Sequence, residues 1–250
     1  SSTSRGLGDV YKRQVHICAS TVRFYMTFSI AARCERTGMF GVAITTSSIS
    51  VGSRCPHARA GIGAVATQNI TDPNLATLVL DQMESGHDSE TAIRMVIRER
   101  ENIDFRQLTA IDAEGKTAHF TGLKILGINA VSEESNCVAA GNLLSHDGVV
   151  SAMTRGFNSD GSAHLAERLL QGLEGGLASG GEVGSVHSAA LLVVDKTKFP
   201  LVDLRVDWED EGAIDKLRSL WSAYEPQMLD YLNRALNPFV APSYGVEGDL

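Results

Sequence analysis

The sequence predicts an α+β fold: a four-layer αββα sandwich, two antiparallel sheets packed face to face with helices outside. Three observations predict it. Strand-like segments come in neighbouring sets joined by turn residues. Helical segments arrive in pairs between those sets, which does not fit the alternation of a doubly wound parallel sheet. The first two strands each have a bulky face and a small one, as expected where one face packs tightly and the other lines a shallow site.

In the first strand, from Thr27 to Ala32, Phe28, Ile30 and Ala32 share one face, and Thr27, Ser29 and Ala31 share the other. Arg33 to Met39 contains Thr37-Gly38 and reads as a hairpin connection to Phe40, Val42 and Ile44. A polar stretch, 46–53, leads to Pro56, and 61–67 reads as a third strand. Asp72-Pro73 starts a helix, with a capping side chain ahead of a proline in the first turn. Leu75, Leu78, Val79 and Met83 give it an apolar stripe. A second helix follows Asp88-Ser89, with Ala92, Ile93, Val96 and Ile97 on its apolar side. Strands are expected over 107–112, 117–121 and 137–144, the last ending after Gly141-Asn142. Helices are expected around 145–157 and 163–173, then a glycine-rich loop over 172–184. A final strand pair, 188–195 and 201–206, precedes a helix from Gly212 that ends at Pro226.

Residues 1–25 hold no sustained period and lack the apolar core of a secretory signal, so they are read as a non-native or disordered leader. A single domain over 26–237 and a tail over 238–250 complete the expected organisation. At 43% hydrophobic residues the chain can fill a core, and no run approaches the roughly 18 apolar residues of a membrane span. The formal net charge is −8, and the leader carries four basic residues and one acid, which leaves −11 beyond it. That field argues against nucleic acid, whose phosphates demand clustered Lys and Arg. A cytoplasmic location is expected, with the four cysteines reduced because no CxxC spacing occurs.

Several motifs point nowhere. Gly61-Ile62-Gly63-Ala64-Val65-Ala66 has dinucleotide-fingerprint spacing, but it is itself the strand rather than a strand-to-helix turn. Cys55 to Arg59, just before it, is not read as a strand. The histidines show no HExxH pairing, and no GxSxG elbow is present. Neither a cofactor nor a metal is expected.

Met26-Thr27 points somewhere. If Met26 or the chain ahead of Thr27 is removed, Thr27 carries a hydroxyl nucleophile beside its own α-amine, whose unperturbed pKa of about 7.7–8.0 suits a base near neutral pH. Asn142, at a strand end, offers an amide and neighbouring backbone N–H groups to a developing oxyanion. Arg33, closing the first strand, is read as a charge that lowers the pKa of the amine by repulsion.

Together, several segments resemble the family called domain of unknown function 1028. They are Met26–Arg33, Arg59–Gln68, Phe120-Thr121-Gly122, Ala140–Leu144, Ser188–Val194 and Pro200–Asp207. That family is grouped with the N-terminal-nucleophile hydrolases. The resemblance implies an αββα sandwich and amide-bond hydrolysis with Thr27 as nucleophile. The chain departs from it at Cys34, where an acid is common, and at His187, where glutamine is usual. The catalytic set expected is Thr27, Asn142 and Arg33, with Thr67, Gln68, Thr121 and Ser188 orienting the amine or a small-molecule amide substrate. A homo-oligomer is left open. The alternative is a non-catalytic binding or assembly protein on the same sandwich.

Overall fold

The computed structural model describes residues 27–98 and 100–246. The expected leader, Met26 and the last four residues of the expected tail lie outside the described residues.

The alternation read in the first strand decides the layers. β1 (Thr27–Arg33) and β2 (Phe40–Thr46) pair antiparallel through the expected hairpin, turned at Gly38 with φ of +77°. Glycine takes that conformation without steric cost. β3 (Pro56–Arg59) and β4 (Gly63–Asn69) follow, then helices α1 (Pro73–Glu84) and α2 (Ser89–Arg98). Asp72 caps α1 by accepting from the Asn74 amide, as its place ahead of Pro73 predicts. β5 (Arg106–Asp112), β6 (Thr117–Thr121), β7 (Ala130–Glu134) and β8 (Cys137–Asn142) come next. Helices α3 (Gly148–Phe157) and α4 (Leu165–Ala178), strands β9 (Ser188–Val194) and β10 (Val202–Val206), and helices α5 (Ala213–Tyr224) and α6 (Met228–Leu236) complete the order.

One sheet has six strands in the order β10-β9-β2-β1-β8-β7, and the other has four in the order β3-β4-β5-β6. Every pairing is antiparallel. Phe28, Ile30 and Ala32 leave the six-stranded sheet outward and pack with Met153, Phe157, Leu169, Leu173 and Trp221 of α3, α4 and α5. Val65, Leu108 and Ala110 pack outward from the smaller sheet onto α1 and α2. Between the sheets Ala31, Phe40, Val42, Ala64, Ala66, Ile111 and Val138 form the third core. The result is the expected α+β, four-layer αββα sandwich.

Four local expectations are corrected. Pro56–Arg59 is a strand after all: it is an edge strand pairing only with β4, and its proline opens it, where no ladder donor is needed. β7 was not expected, because Ala130–Glu134 lacks a clear period. The glycine-rich stretch is helical as far as Ala178. Its glycines serve packing: a Cβ on Gly175 would stand 2.8 Å from the Ala152 carbonyl oxygen of α3, and one on Gly176 would stand 2.7 Å from Met153 Cγ. Pro226 does not end helical structure either; it sits in a 3-10 turn, Glu225–Gln227, that leads into α6.

Candidate active site at the end of the first strand

β1 is a central strand, flanked by β2 and β8, and the two registers meet at its first residue. Thr27 lies opposite Thr46 on one side and Asn142 on the other, and Thr46 in turn lies opposite Ser188. Directly opposed residues in an antiparallel sheet have Cα atoms about 4.5–5.5 Å apart and side chains on one face. Asn142, Thr27, Thr46 and Ser188 therefore form one row across the end of the six-stranded sheet, facing the smaller sheet. Thr27 Oγ1 and Thr46 Oγ1 are 3.1 Å apart. The Ser188 hydroxyl is occupied: it donates to the Ser48 carbonyl at 2.6 Å and accepts from the Val51 amide at 3.1 Å, tethering the 46–53 connection.

The smaller sheet answers with amides. Ser29 Oγ donates to Gln68 Oε1 at 2.7 Å, and Gln68 Nε2 donates to Gln107 Oε1 at 2.7 Å. Gln107 Oε1 also accepts from Asn142 Nδ2 at 3.4 Å, and Gln107 Nε2 donates to Thr121 Oγ1 at 3.3 Å. Gln68, Gln107 and Asn142 are at most 1% exposed, so each amide depends on these partners. Asn142 Oδ1 has none. The residue after Asn142, Leu143, has φ of +50°, a left-handed conformation that costs a residue with a Cβ about 1–2 kcal/mol. It turns the chain sharply away and ends the strand at the amide.

Glu182 borders this row. Leu144, two residues beyond Asn142, bridges to Glu182. Ser47, the residue after Thr46, supplies the backbone and hydroxyl groups that act on the Glu182 carboxyl. Burial pushes that carboxyl well above the usual range and outweighs Ser47, which pulls it down. Neither carboxyl oxygen completes a hydrogen bond.

Of the residues the sequence singled out, the structure brings together Thr27, Asn142, Gln68, Thr121 and Ser188, and adds Ser29, Thr46, Gln107 and Glu182. Two are not brought there. Arg33 stands at the opposite end of β1, about 20 Å away at some 3.3 Å per residue, too far to depress the pKa of a Thr27 amine. Thr67 shares the outward face of β4 with Val65, and its hydroxyl reaches the Asp72 carbonyl at 3.5 Å beneath α1. The additions carry signals that spacing alone does not weigh. Gln107 is the second residue of β5, Thr46 closes β2, and Glu182 lies in the glycine-rich stretch. Among the described residues, no three His, Cys, Asp or Glu side chains converge as a metal site, and no helix is long and apolar enough to cross a membrane.

The model of a family of unknown function, DUF1028, matches residues 27–217. The chain belongs to the DUF1028 family. A crystal structure of a DUF1028 protein from Silicibacter pomeroyi is similar at 30% identity and a TM-score of 0.74, covering 80% of this chain and 89% of that one. The match to DUF1028 begins at Thr27, the first residue of the row. Far weaker likenesses reach Anbu (ancestral beta-subunit) from Yersinia bercovieri, at 12% identity and a TM-score of 0.38. That alignment covers 82% of this chain and 97% of the other. Anbu from Hyphomicrobium sp. strain MC1 gives 12% identity and a TM-score of 0.38, covering 83% and 98%. No curated protein matches.

Proposed function

We propose that this DUF1028 chain is an amide-bond hydrolase of the N-terminal-nucleophile kind, acting on a small amide or peptide-like bond. The observation that carries the reading is the position of Thr27: it lies in the row between Asn142 and a second threonine hydroxyl, facing buried amides. A threonine hydroxyl is a poor nucleophile unless a base takes its proton, and the described partner of Thr27 Oγ1 is Thr46 Oγ1, which is no base. An α-amine on Thr27 supplies that base. In this reading Thr27 Oγ1 attacks the carbonyl carbon, the amine accepts its proton and returns one to the leaving nitrogen, and water later releases the acyl group. Asn142 gives one Nδ2 hydrogen to Gln107 and keeps a second for the oxyanion. Gln68, Gln107 and Thr121 hold that amide in place, and Ser188 fixes the loop behind Thr46. Arg33 and Thr67 have no part in it.

The expected outcome is that N-terminal sequencing of the working protein begins at Thr27. Incubation with a panel of small amides and acyl-amino acids then adds an acyl mass to that residue. Thr27→Ala, natively folded, should lose turnover by at least about 10⁴-fold. Undiminished amidase turnover in that variant rules the mechanism out. The second reading, a binding or assembly protein on the same sandwich, is favoured by the burial of Thr27, 7% exposed, with its hydroxyl already partnered. A chain that retains residues ahead of Thr27 in its working form decides for it.

A further inference from the structure

At the other end of β1 a cleft of about 470 Å³ gathers Arg33, Arg36 and Arg168, with Glu35 as its one lining acid. Its guanidinium groups are held by neutral acceptors. Arg33 Nη1 donates to Asn136 Oδ1 at 3.1 Å, and Arg36 Nη2 donates to the carbonyl oxygens of Ser162 at 2.8 Å and Ala163 at 3.3 Å. Arg168 lies over the Phe157 ring at 4.0 Å from its centroid, with Nε on the Phe157 carbonyl at 3.2 Å and Nη2 on Asn158 Oδ1 at 3.4 Å. None of the three forms an ion pair with a carboxylate among the described residues, although five other arginine and lysine side chains do.

Two features set this cluster apart from a solvated basic surface. Arg33 Nε is buried and has no acceptor at all, and a buried donor left unpaired costs about 1–3 kcal/mol. Arg168 is only 9% exposed, so its charge is held in the wall of the cleft rather than in water. Three cations converge there against a single lining acid, Glu35, with which none forms an ion pair, and their mutual repulsion is relieved when an anion enters. A carboxylate is satisfied by one guanidinium fork, whereas a phosphate group brings nearly two charges and three terminal oxygens for three forks. The cleft is also larger than inorganic phosphate needs and lies within the roughly 300–1,000 Å³ usual for small organic ligands.

We infer that the Arg33–Arg36–Arg168 cleft binds the phosphate group of a small organic phosphate monoester. Arg33 Nε and the free edges of Arg36 and Arg168 donate to its oxygens, and the organic part occupies the remaining volume. The site lies at the opposite end of β1 from Thr27 and stands whether or not the chain is a hydrolase.

Calorimetric titration of the full chain with phenyl phosphate, inorganic phosphate and benzoate, each against chloride at matched ionic strength, tests it. Phenyl phosphate should bind at one saturable site, inorganic phosphate more weakly, and benzoate at least tenfold more weakly than phenyl phosphate. Arg33→Gln and Arg36→Gln should each weaken phenyl phosphate about tenfold. Glu35→Gln should tighten it about threefold, a gain that misfolding cannot produce. Binding no stronger than chloride's overturns the site, as does phenyl phosphate affinity indifferent to all three substitutions. Benzoate binding as tightly as phenyl phosphate overturns the phosphate assignment.

Discussion

At its Thr27 end β1 lies among hydroxyls and amides, buried, with no ionisable side chain in the row that crosses the sheet. At its Arg33 end, about 20 Å further along, the same face of the strand opens on a cleft walled by three arginines. The residues of one short stretch, written together in the sequence, are divided in space by the length of an extended chain. That distance gives the strand a site of hydroxyls and amides at one end and a cationic one at the other.

The largest effect that sharpens this comparison is expected from Asn142→Ala. In the proposed reaction, steady-state kinetics on an amide substrate should show kcat lowered by about 10²–10³-fold, the cost of one oxyanion donor. Phenyl phosphate affinity at the far end should stay as it is, and a joint loss would break the separation. Gln107→Ala comes next. It strips the shared acceptor from Gln68 and Asn142 and the donor from Thr121. With each buried orphan worth about 1–3 kcal/mol, urea unfolding should show a loss of about 2 kcal/mol or more.

Glu182→Gln has an effect whose sign depends on pH. Burial raises the folded pKa of Glu182 above its unfolded value, so the bound proton favours the folded state. That stability is complete below the unfolded value and drains away as pH climbs towards the folded one, at up to about 1.4 kcal/mol per pH unit. Glutamine does not titrate, so the variant should gain on the parent as pH rises above the unfolded carboxyl value. Parallel stability curves for the two proteins would show that Glu182 is not held protonated. The smallest effect belongs to Thr67→Val, on the outward face of β4. It should cost no more than about 1 kcal/mol in stability and leave amide turnover unchanged, where its neighbour Gln68 faces the row.

The layers were legible because alternation states them directly. Phe28, Ile30 and Ala32 against Thr27, Ser29 and Ala31 determine which side meets helices, and the structure follows that division. Asp72-Pro73 declares a helix start for a local reason that tertiary packing does not overrule. The glycines of α4 mislead, because a glycine chosen for close helix contact looks the same in sequence as one chosen for a turn. The site was legible in part. Thr27 and Asn142 stand at strand ends, yet their adjacency is a matter of register between strands 115 positions apart, which no local pattern carries. Arg33 and Thr67 were misplaced for complementary reasons: one shares the correct face at the wrong height, the other the correct height on the wrong face. Glu182 escaped notice because only the fold reveals an acid without water around it.

Three of the side chains between the sheets, Ala31, Ala64 and Ala66, are single methyl groups, small enough to let the two sheets approach closely. Gln68, two residues beyond Ala66, spans the same gap to reach Ser29. Those alanines therefore act as a shim that sets the reach of every amide at the Thr27 end. One extra carbon at position 66 would lengthen the span from Gln68 to Ser29 without altering either residue.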